Sequence, residues 1–457
     1  MRPTEGPKTS VLGACALLGL LLFLPGCERR SGPPPSIVIV TIDTLRADRM
    51  GSYGYYRDTS PNLDRFGADN LFFANAVTTM ATTLPAHVSL FSSRYPLQTG
   101  VTANGKRLKR WREAGNQIRL FQQMLQDVGY STAALVSALP VQRHTGIDVG
   151  FDFFSQPEYR GRKGKLTTDA VLEWLETPPT EPFYLWVHYF DPHSPYDPPE
   201  PFRSEFSTDE GLMDFLWNRG VGEERTAELL EINNFYDGEV RSVDHEVGRL
   251  FERLRDIGLW NESAVVVTSD HGEGLGQHGR IGHGEIYNEQ LFVPLMMKLP
   301  KSFGMAPRRV ERLVSITDIL PTLVDTLELP IQESDRARFS GMNALDRKER
   351  RNYALAQRSS FRHLKAAEER GTREKFALVG LDWKYTLAAV EADRLHDMRT
   401  DHVELFNQVN LEPDRAASLR DRLLAEIACF SGAETDFNVI EETAPEVLEE
   451  LKALGYL

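Results

Sequence analysis

Apolar positions along this chain fall into two rhythms. Ser36-Ile37-Val38-Ile39-Val40-Thr41-Ile42, Gly129 to Val136, Phe183 to Phe190 and Ser263 to Ser269 are continuous runs of apolar or β-branched residues. Such runs, without polar alternation, predict strands buried on both faces. Elsewhere apolar residues recur at helical spacing: Leu84, Val88 and Phe91; Ile118 to Val128; Val240, Val243, Val247, Leu250, Phe251 and Leu254. Thr168 to Glu176 also reads as a helix. Strands interleaved with helices predict an α/β protein with a mostly parallel sheet.

Further along, the pattern weakens. Residues 200–235 are polar and aromatic without a period, an excursion over the sheet that would shape a substrate entrance. Residues 331–352 are charged and poor in apolar side chains, which predicts a linker. Beyond it, Phe376 to Gly380, Trp383 to Leu387 and Glu404 to Asn407 read as short strands. Ala416 to Ile427 and Val447 to Leu454 read as helices. The domains expected are therefore a tether over 28–35, a main domain over 36–330, the linker, and a smaller C-terminal unit over 353–457.

The N-terminus reads as a targeting segment over residues 1–27. Arg2 and Lys8 precede an apolar run, Val11 to Leu24, too short for a comfortable membrane span. It ends in Leu24-Pro25-Gly26-Cys27, which resembles a bacterial lipoprotein cleavage site. Lipidated Cys27 would then tie the chain to a membrane, as an envelope lipoprotein facing the periplasm or the cell surface; an uncleaved anchor is the alternative. Of the 3 cysteines, only Cys429 lies outside this region, so no intrachain disulfide is expected. The net charge of -14 argues against a nucleic-acid partner.

The candidate chemistry gathers where strands end. Asp43 follows the first run, and Asp270-His271-Gly272-Glu273 follows the fourth. Open parallel sheets place their sites at such ends. Asp43, Asp270 and His271 form a mixed carboxylate and imidazole set that suits one divalent cation, Zn, Mn or Mg more than Ca. Glu273 is expected one layer behind them. Thr83 stands just ahead of a helix whose Pro85 fits the first turn, so its hydroxyl lies where free N–H groups favour an anion. By itself Thr83 could equally be a helix cap.

Taken together, these stretches resemble the sulfatases of the alkaline phosphatase superfamily. Thr83, Pro85, Ala86, His87, Arg94, Tyr95 and Pro96 fall on the signature that begins with the family's Cys or Ser nucleophile. Asp43 to Asp64 resembles the opening block, Tyr287-Asn288-Glu289 with Val293-Pro294-Leu295 a later one, and Ile316 to Leu323 another. The resemblance implies an alkaline-phosphatase-like three-layer α/β/α sandwich with a small C-terminal α+β subdomain carrying a short antiparallel sheet. It implies that the cation is held by Asp43, Asp270, His271 and Thr83, and that Thr83 attacks a bound ester. It also implies substrate contacts from Asn104, His193 and His87, with His283 at the position of a substrate-binding lysine. His283 or His193 would protonate the leaving oxygen. His188 and Asp191 are read as supporting residues.

Four departures carry information. Thr83 replaces the usual nucleophile, His87 replaces an arginine, and Thr44 replaces a second aspartate. Ser137-Ala138-Leu139-Pro140 stands where Gly-Lys-Trp-His would grip a sulfate. Sulfatases convert Cys or Ser to formylglycine, and threonine, with a methyl on its β-carbon, cannot become that aldehyde. The expected activity is therefore hydrolysis or transfer of phosphoric or sulfuric esters, phosphoric favoured, on a small-molecule, glycan-linked or lipid-linked substrate. The rivals are a sulfuric ester hydrolase without formylglycine and an inactive lipoprotein that binds an anionic glycan. The intact set of Asp43, Thr83, Asp270 and His271 argues against the inactive form.

Overall fold

The computed structural model describes residue 1 and residues 34–105, 108, 118–158, 161–177, 179–206, 210–221, 226–358, 374–388 and 391–431. The expected signal segment with Cys27, most of the tether and the helix expected over 447–454 lie outside the described residues. Among the described residues no helix is long and apolar enough to cross a membrane.

The central sheet contains β1 (Ser36–Ile42), β2 (Leu71–Val77), β3 (Ser131–Leu135), β4 (Phe153–Ser155), β5 (Phe183–Tyr189) and β6 (Ser263–Ser269). After the short hairpin of β7 (Gly274–Leu275) and β8 (Ile281–Gly282), it is completed by β9 (Phe292–Lys298) and β10 (Arg308–Ser315). The spatial order is β10-β2-β9-β6-β1-β5-β3-β4, and all neighbours are parallel except β9, which runs antiparallel to β2 and β6.

The four continuous apolar runs became β1, β3, β5 and β6, all buried. Alternate residues of β1 face opposite layers. Ile37 and Ile39 pack with Leu84, Val88 and Phe91 of the helix Thr83–Ser92, and with Phe121 and Leu323. Val38, Val40 and Ile42 pack with Phe66, Val240, Val247 and Leu250, the last three from the long helix Thr226–Asp256. Each such side chain taken fully out of water contributes about 1.5–3 kcal/mol, so β1 anchors both helical layers.

Strands β2, β9 and β10 are not evident in the apolar pattern. Pro294 lies within β9 and lacks a ladder donor. The sheet absorbs it through a register shift in β2 between Phe73 and Ala76, opposite Pro294. The Tyr53 hydroxyl accepts from Leu295 N at 2.9 Å, and the Pro294 carbonyl accepts from Thr268 Oγ1 at 2.8 Å.

The described residues from Pro34 onward form one compact unit. Its C-terminal part holds the antiparallel sheet β11 (Ala354–Arg358), β12 (Lys375–Val379), β13 (Trp383–Ala388) and β14 (Arg394–Asp397), packed on the helix Pro413–Ser431. The strand expected over Glu404 to Asn407 is instead irregular; β14 lies upstream, and Asn407 Oδ1 accepts from Leu395 N at 3.0 Å. The expected linker is stitched to the main domain: Ser340 N donates to Ser93 O at 2.7 Å and Ala344 N to Thr322 Oγ1 at 2.8 Å. Arg351 grips buried Asp318 at 2.6 Å.

Asp244 stands on the long helix and is buried. It caps the helix Pro61–Asp69 from outside, accepting from Asn62 N at 3.1 Å and Leu63 N at 2.8 Å. Those are orphan donors of a helix N-terminus, which a carboxylate satisfies well.

Candidate metal and catalytic site

Strand register brings the two carboxylates together. β1 and β6 pair in parallel with Ile42 opposite Ser269, so Asp43 and Asp270 emerge side by side at the C-terminal edge. Both are buried. Asp270 Oδ1 accepts from His271 N at 2.8 Å and Thr44 N at 3.2 Å. Its Oδ2 is buried with no hydrogen-bond partner among the described residues. Thr44 presents its amide from a left-handed backbone, φ 56°, and its carbonyl accepts from the Tyr236 hydroxyl at 2.7 Å. A non-glycine residue rarely holds that conformation.

His271 Nδ1 donates to Gly272 O at 2.9 Å, since a carbonyl only accepts. The lone pair of Nε2 is therefore the free one. That nitrogen stands 3.4 Å from Asp270 Oδ2, 3.9 Å from Asp43 Oδ1 and 3.5 Å from Thr83 Oγ1. One ligand atom from each of Asp43, Asp270 and His271 lies within 4.8 Å of the others. Burial pushes the Asp270 carboxyl up, and burial pushes the His271 imidazole well down. The unpartnered Asp270 oxygen, beside a second buried carboxylate and a neutral imidazole, is a costly arrangement that a cation would relieve. The donor set fits a divalent cation.

Thr83 begins its helix, and the next amide is held by Asn104, whose Oδ1 accepts from Leu84 N at 2.9 Å. Asn104 Nδ2 is buried without a hydrogen-bond partner among the described residues, a donor left over beside the Thr83 end of the helix. His87 turns back along the same helix: Nδ1 donates to Thr83 O at 2.8 Å. Its Nε2 accepts from Thr41 Oγ1 at 3.1 Å, and Thr41 Oγ1 accepts from Trp186 Nε1 at 2.9 Å. Both ring nitrogens of His87 are thus engaged inside the protein. The arrangement ties the start of the Thr83 helix to β1 and β5.

His283 and His193 lie on the other side of His271. The His283 ring is 4.5 Å from that of His271 and 5.1 Å from that of His193, centroid to centroid. His283 Nδ1 stands 3.4 Å from Glu273 Oε1. His193 Nδ1 donates to Ser194 O at 2.6 Å, and its ring stacks on Phe190. His188 is buried behind Asp43, with Nε2 3.8 Å from Asp43 Oδ2 and neither ring nitrogen hydrogen-bonded among the described residues. Burial holds it well below the usual imidazole range.

The structure therefore gathers Asp43, Thr83, Asp270 and His271, sets Asn104 at the Thr83 end, and places His283 and His193 beside His271. The brace of Thr41 and Trp186 and the Tyr236 support of Thr44 had not been anticipated. A threonine inside the apolar β1 run was the one hint of the former.

A mostly parallel sheet with helices on both faces, and a buried threonine at a helix start beside a strand-end carboxylate and imidazole cluster, match the ester hydrolases of the sulfatase branch of the alkaline phosphatase superfamily. The sulfatase family model matches residues 35–329, and the chain belongs to that family. It is similar to an arylsulfatase of Clostridium perfringens, 23% identical over 90% of this chain and 98% of that one. Among solved structures it is similar to a putative sulfatase, yidJ, from Bacteroides fragilis, with a TM-score of 0.73 at 18% identity over 91% of this chain and 100% of the other. It is also similar to the phosphonate monoester hydrolase of Agrobacterium radiobacter, with a TM-score of 0.71 at 20% identity over 87% and 96%.

Proposed function

We propose that this sulfatase-family hydrolase acts on phosphoric esters, with Thr83 as nucleophile. The observation that carries the reading is the Thr83 hydroxyl 3.5 Å from His271 Nε2, at the nucleophile position and at the N-terminus of its helix. Thr83 has no route to formylglycine, so the ester must be attacked by the hydroxyl itself. Asp43, Asp270, His271 and Thr83 would hold the divalent cation, which supplies Lewis-acid polarisation of the ester and lowers the pKa of a coordinated hydroxyl.

The chain's own groups account for the rest. The Thr83 hydroxyl proton passes to water as Oγ1 forms a bond to phosphorus and the bond from phosphorus to the leaving oxygen breaks. Asn104 Nδ2 and the helix N-terminus meet negative charge on the non-bridging oxygens. His283, oriented by Glu273, delivers a proton to the leaving oxygen. Water or an acceptor alcohol then bonds to phosphorus and gives up a proton, the bond from phosphorus to Thr83 Oγ1 breaks and Oγ1 takes a proton back, and phosphate or the new ester leaves. Direct displacement at phosphorus requires no aldehyde, which favours phosphoric over sulfuric esters.

The test is turnover of aryl phosphate monoesters, aryl phosphate diesters and aryl sulfates by wild type and Thr83→Ala. Phosphate turnover exceeding sulfate turnover, and abolished in Thr83→Ala, is the expected result. Faster sulfate turnover that survives in the variant would remove both the substrate class and the nucleophile. We propose further that Cys27 is lipidated and ties the chain to the bacterial envelope; mass spectrometry of the exported protein, with Cys27→Ala as the comparison, tests this.

A further inference from the structure

The chain carries a net charge of -14, yet one stretch of its surface is cationic. β10 is the outer strand of the central sheet and brings Arg308, Arg309 and Arg312. A second run, Arg347, Lys348 and Arg350, lies against it, because Arg312 donates to Asp346 O and, at 3.0 Å, to Glu349 O. Arg312, Arg347 and Arg350 border a cavity of about 550 Å³ together with Glu311.

The acids here do not balance these charges. Glu311 is taken by Arg309 at 2.7 Å, Asp346 Oδ1 accepts from Lys348 N at 2.8 Å, and Glu349 is exposed. Among the described residues Arg308, Arg347, Lys348 and Arg350 form no ion pair. Burial, and then Arg308 and Arg350, hold the Arg312 guanidinium below its ordinary value, with Asp346 opposing and Arg347 adding. Charges along an edge strand guard against edge-to-edge pairing. That accounts for β10 alone; a second cationic run folded against the first adds repulsion.

The cationic surface reaches the edge at which the chain enters the sheet. β10 runs the same way as β1, so Arg308 and Ser36 stand at one edge, and Asp43 and Asp270 at the opposite one. The Pro35 carbonyl is held there by the Tyr130 hydroxyl at 2.8 Å. The loop over 299–307, between β9 and β10, adds Lys301 and an exposed Met305 at this edge. Strand spacing puts β10 about 19 Å from β1. A compact anion could meet only the cavity, whereas a flat anionic surface meets the loop, both cationic runs and the entry of the chain together. An apolar side chain flanked by cations suits the interface of a bilayer.

We propose that this face docks on an anionic lipid bilayer, with Arg308, Arg347, Lys348 and Arg350 on the phosphate headgroups and Met305 in the interface. Docked so, the chain turns its Thr83 edge away from the bilayer. The choice of a bilayer over another polyanion rests on Met305 among the cations and on the reading of Cys27 as lipidated.

Amide hydrogen exchange read by mass spectrometry tests this on the full chain. The vesicles are phosphatidylglycerol mixed with phosphatidylcholine, or phosphatidylcholine alone, so a lipid anchor contributes to both. Peptides over 299–309 and 346–351 should exchange at least about threefold more slowly on the anionic vesicles, an effect lost at about 0.5 M NaCl. The combined variant Arg308→Glu, Arg347→Glu and Arg350→Glu should abolish that difference. Should it fail to fold, Arg347→Gln with Arg350→Gln should reduce it. The N-terminal peptide in the same spectra shows whether Cys27 carries lipid. Slowed exchange on an unlipidated chain supports the docking face and removes only the Cys27 reading. Equal exchange on both vesicles overturns the docking face, whatever the state of Cys27. So does a difference kept in full by the folded variants, or slowing by soluble heparin with none by anionic vesicles.

Discussion

Replacing Asn104 by alanine separates its two tasks. Its Oδ1 holds Leu84 N at 2.9 Å, and its Nδ2 is a buried donor with no partner among the described residues. The structural task is small: leaving the Leu84 amide without an acceptor costs about 1–3 kcal/mol, and deleting the unpartnered Nδ2 returns part of that. The expected net loss is about 1 kcal/mol, a shift of a few degrees or less in the unfolding midpoint. The chemical task is larger. A fixed donor aimed at developing negative charge contributes about 3–4 kcal/mol, or a factor of about 100 to 1,000 in kcat. Aryl phosphate turnover at saturating divalent cation should therefore fall at least about 100-fold in kcat, with KM changed far less. Thermal unfolding of the same samples measures the other quantity. A kcat within about threefold of wild type, alongside a lowered midpoint, would reduce Asn104 to a helix cap and refute its place in charge stabilisation.

Four further outcomes follow from the geometry. Asp270→Asn keeps the acceptor for Thr44 N and His271 N but removes a buried charge, so chelation should lower the unfolding midpoint of wild type and leave this variant almost unmoved. His188→Ala removes the imidazole behind Asp43, and divalent-cation affinity measured by calorimetry should fall about 10- to 100-fold while the fold persists. Burial, and then Asp191, push the Glu239 carboxyl up to about 8, so the native state holds that proton more tightly than the unfolded chain, whose value is 4.5. Its stabilising contribution is complete below about pH 4.5 and lost as pH rises through 8; denaturant unfolding from pH 5 to 9 should show a decline that Glu239→Gln flattens. Finally, Gly272→Ala would drive a β-carbon into the backbone of Glu289, and with no flexible side chain to yield it should lose about 1–3 kcal/mol or more by denaturant titration.

Much of this protein is legible along the chain because its central strands are buried on both faces. That burial demands unbroken apolar runs, and an acid or histidine immediately after such a run stands at a sheet edge whatever the rest of the fold does. Asp43, Asp270 and His271 were visible for that reason, and Thr83 through the proline in the first turn of its helix. Only the tertiary structure decided which strands are neighbours: the β1–β6 register that sets the carboxylates side by side joins residues far apart in sequence. It also placed Pro294 opposite a shifted register in β2, engaged both nitrogens of His87, and made Asp244 the cap of another helix. These depend on long-range partners, and a local pattern of apolar and polar residues records whether a side chain is buried, not what it meets there.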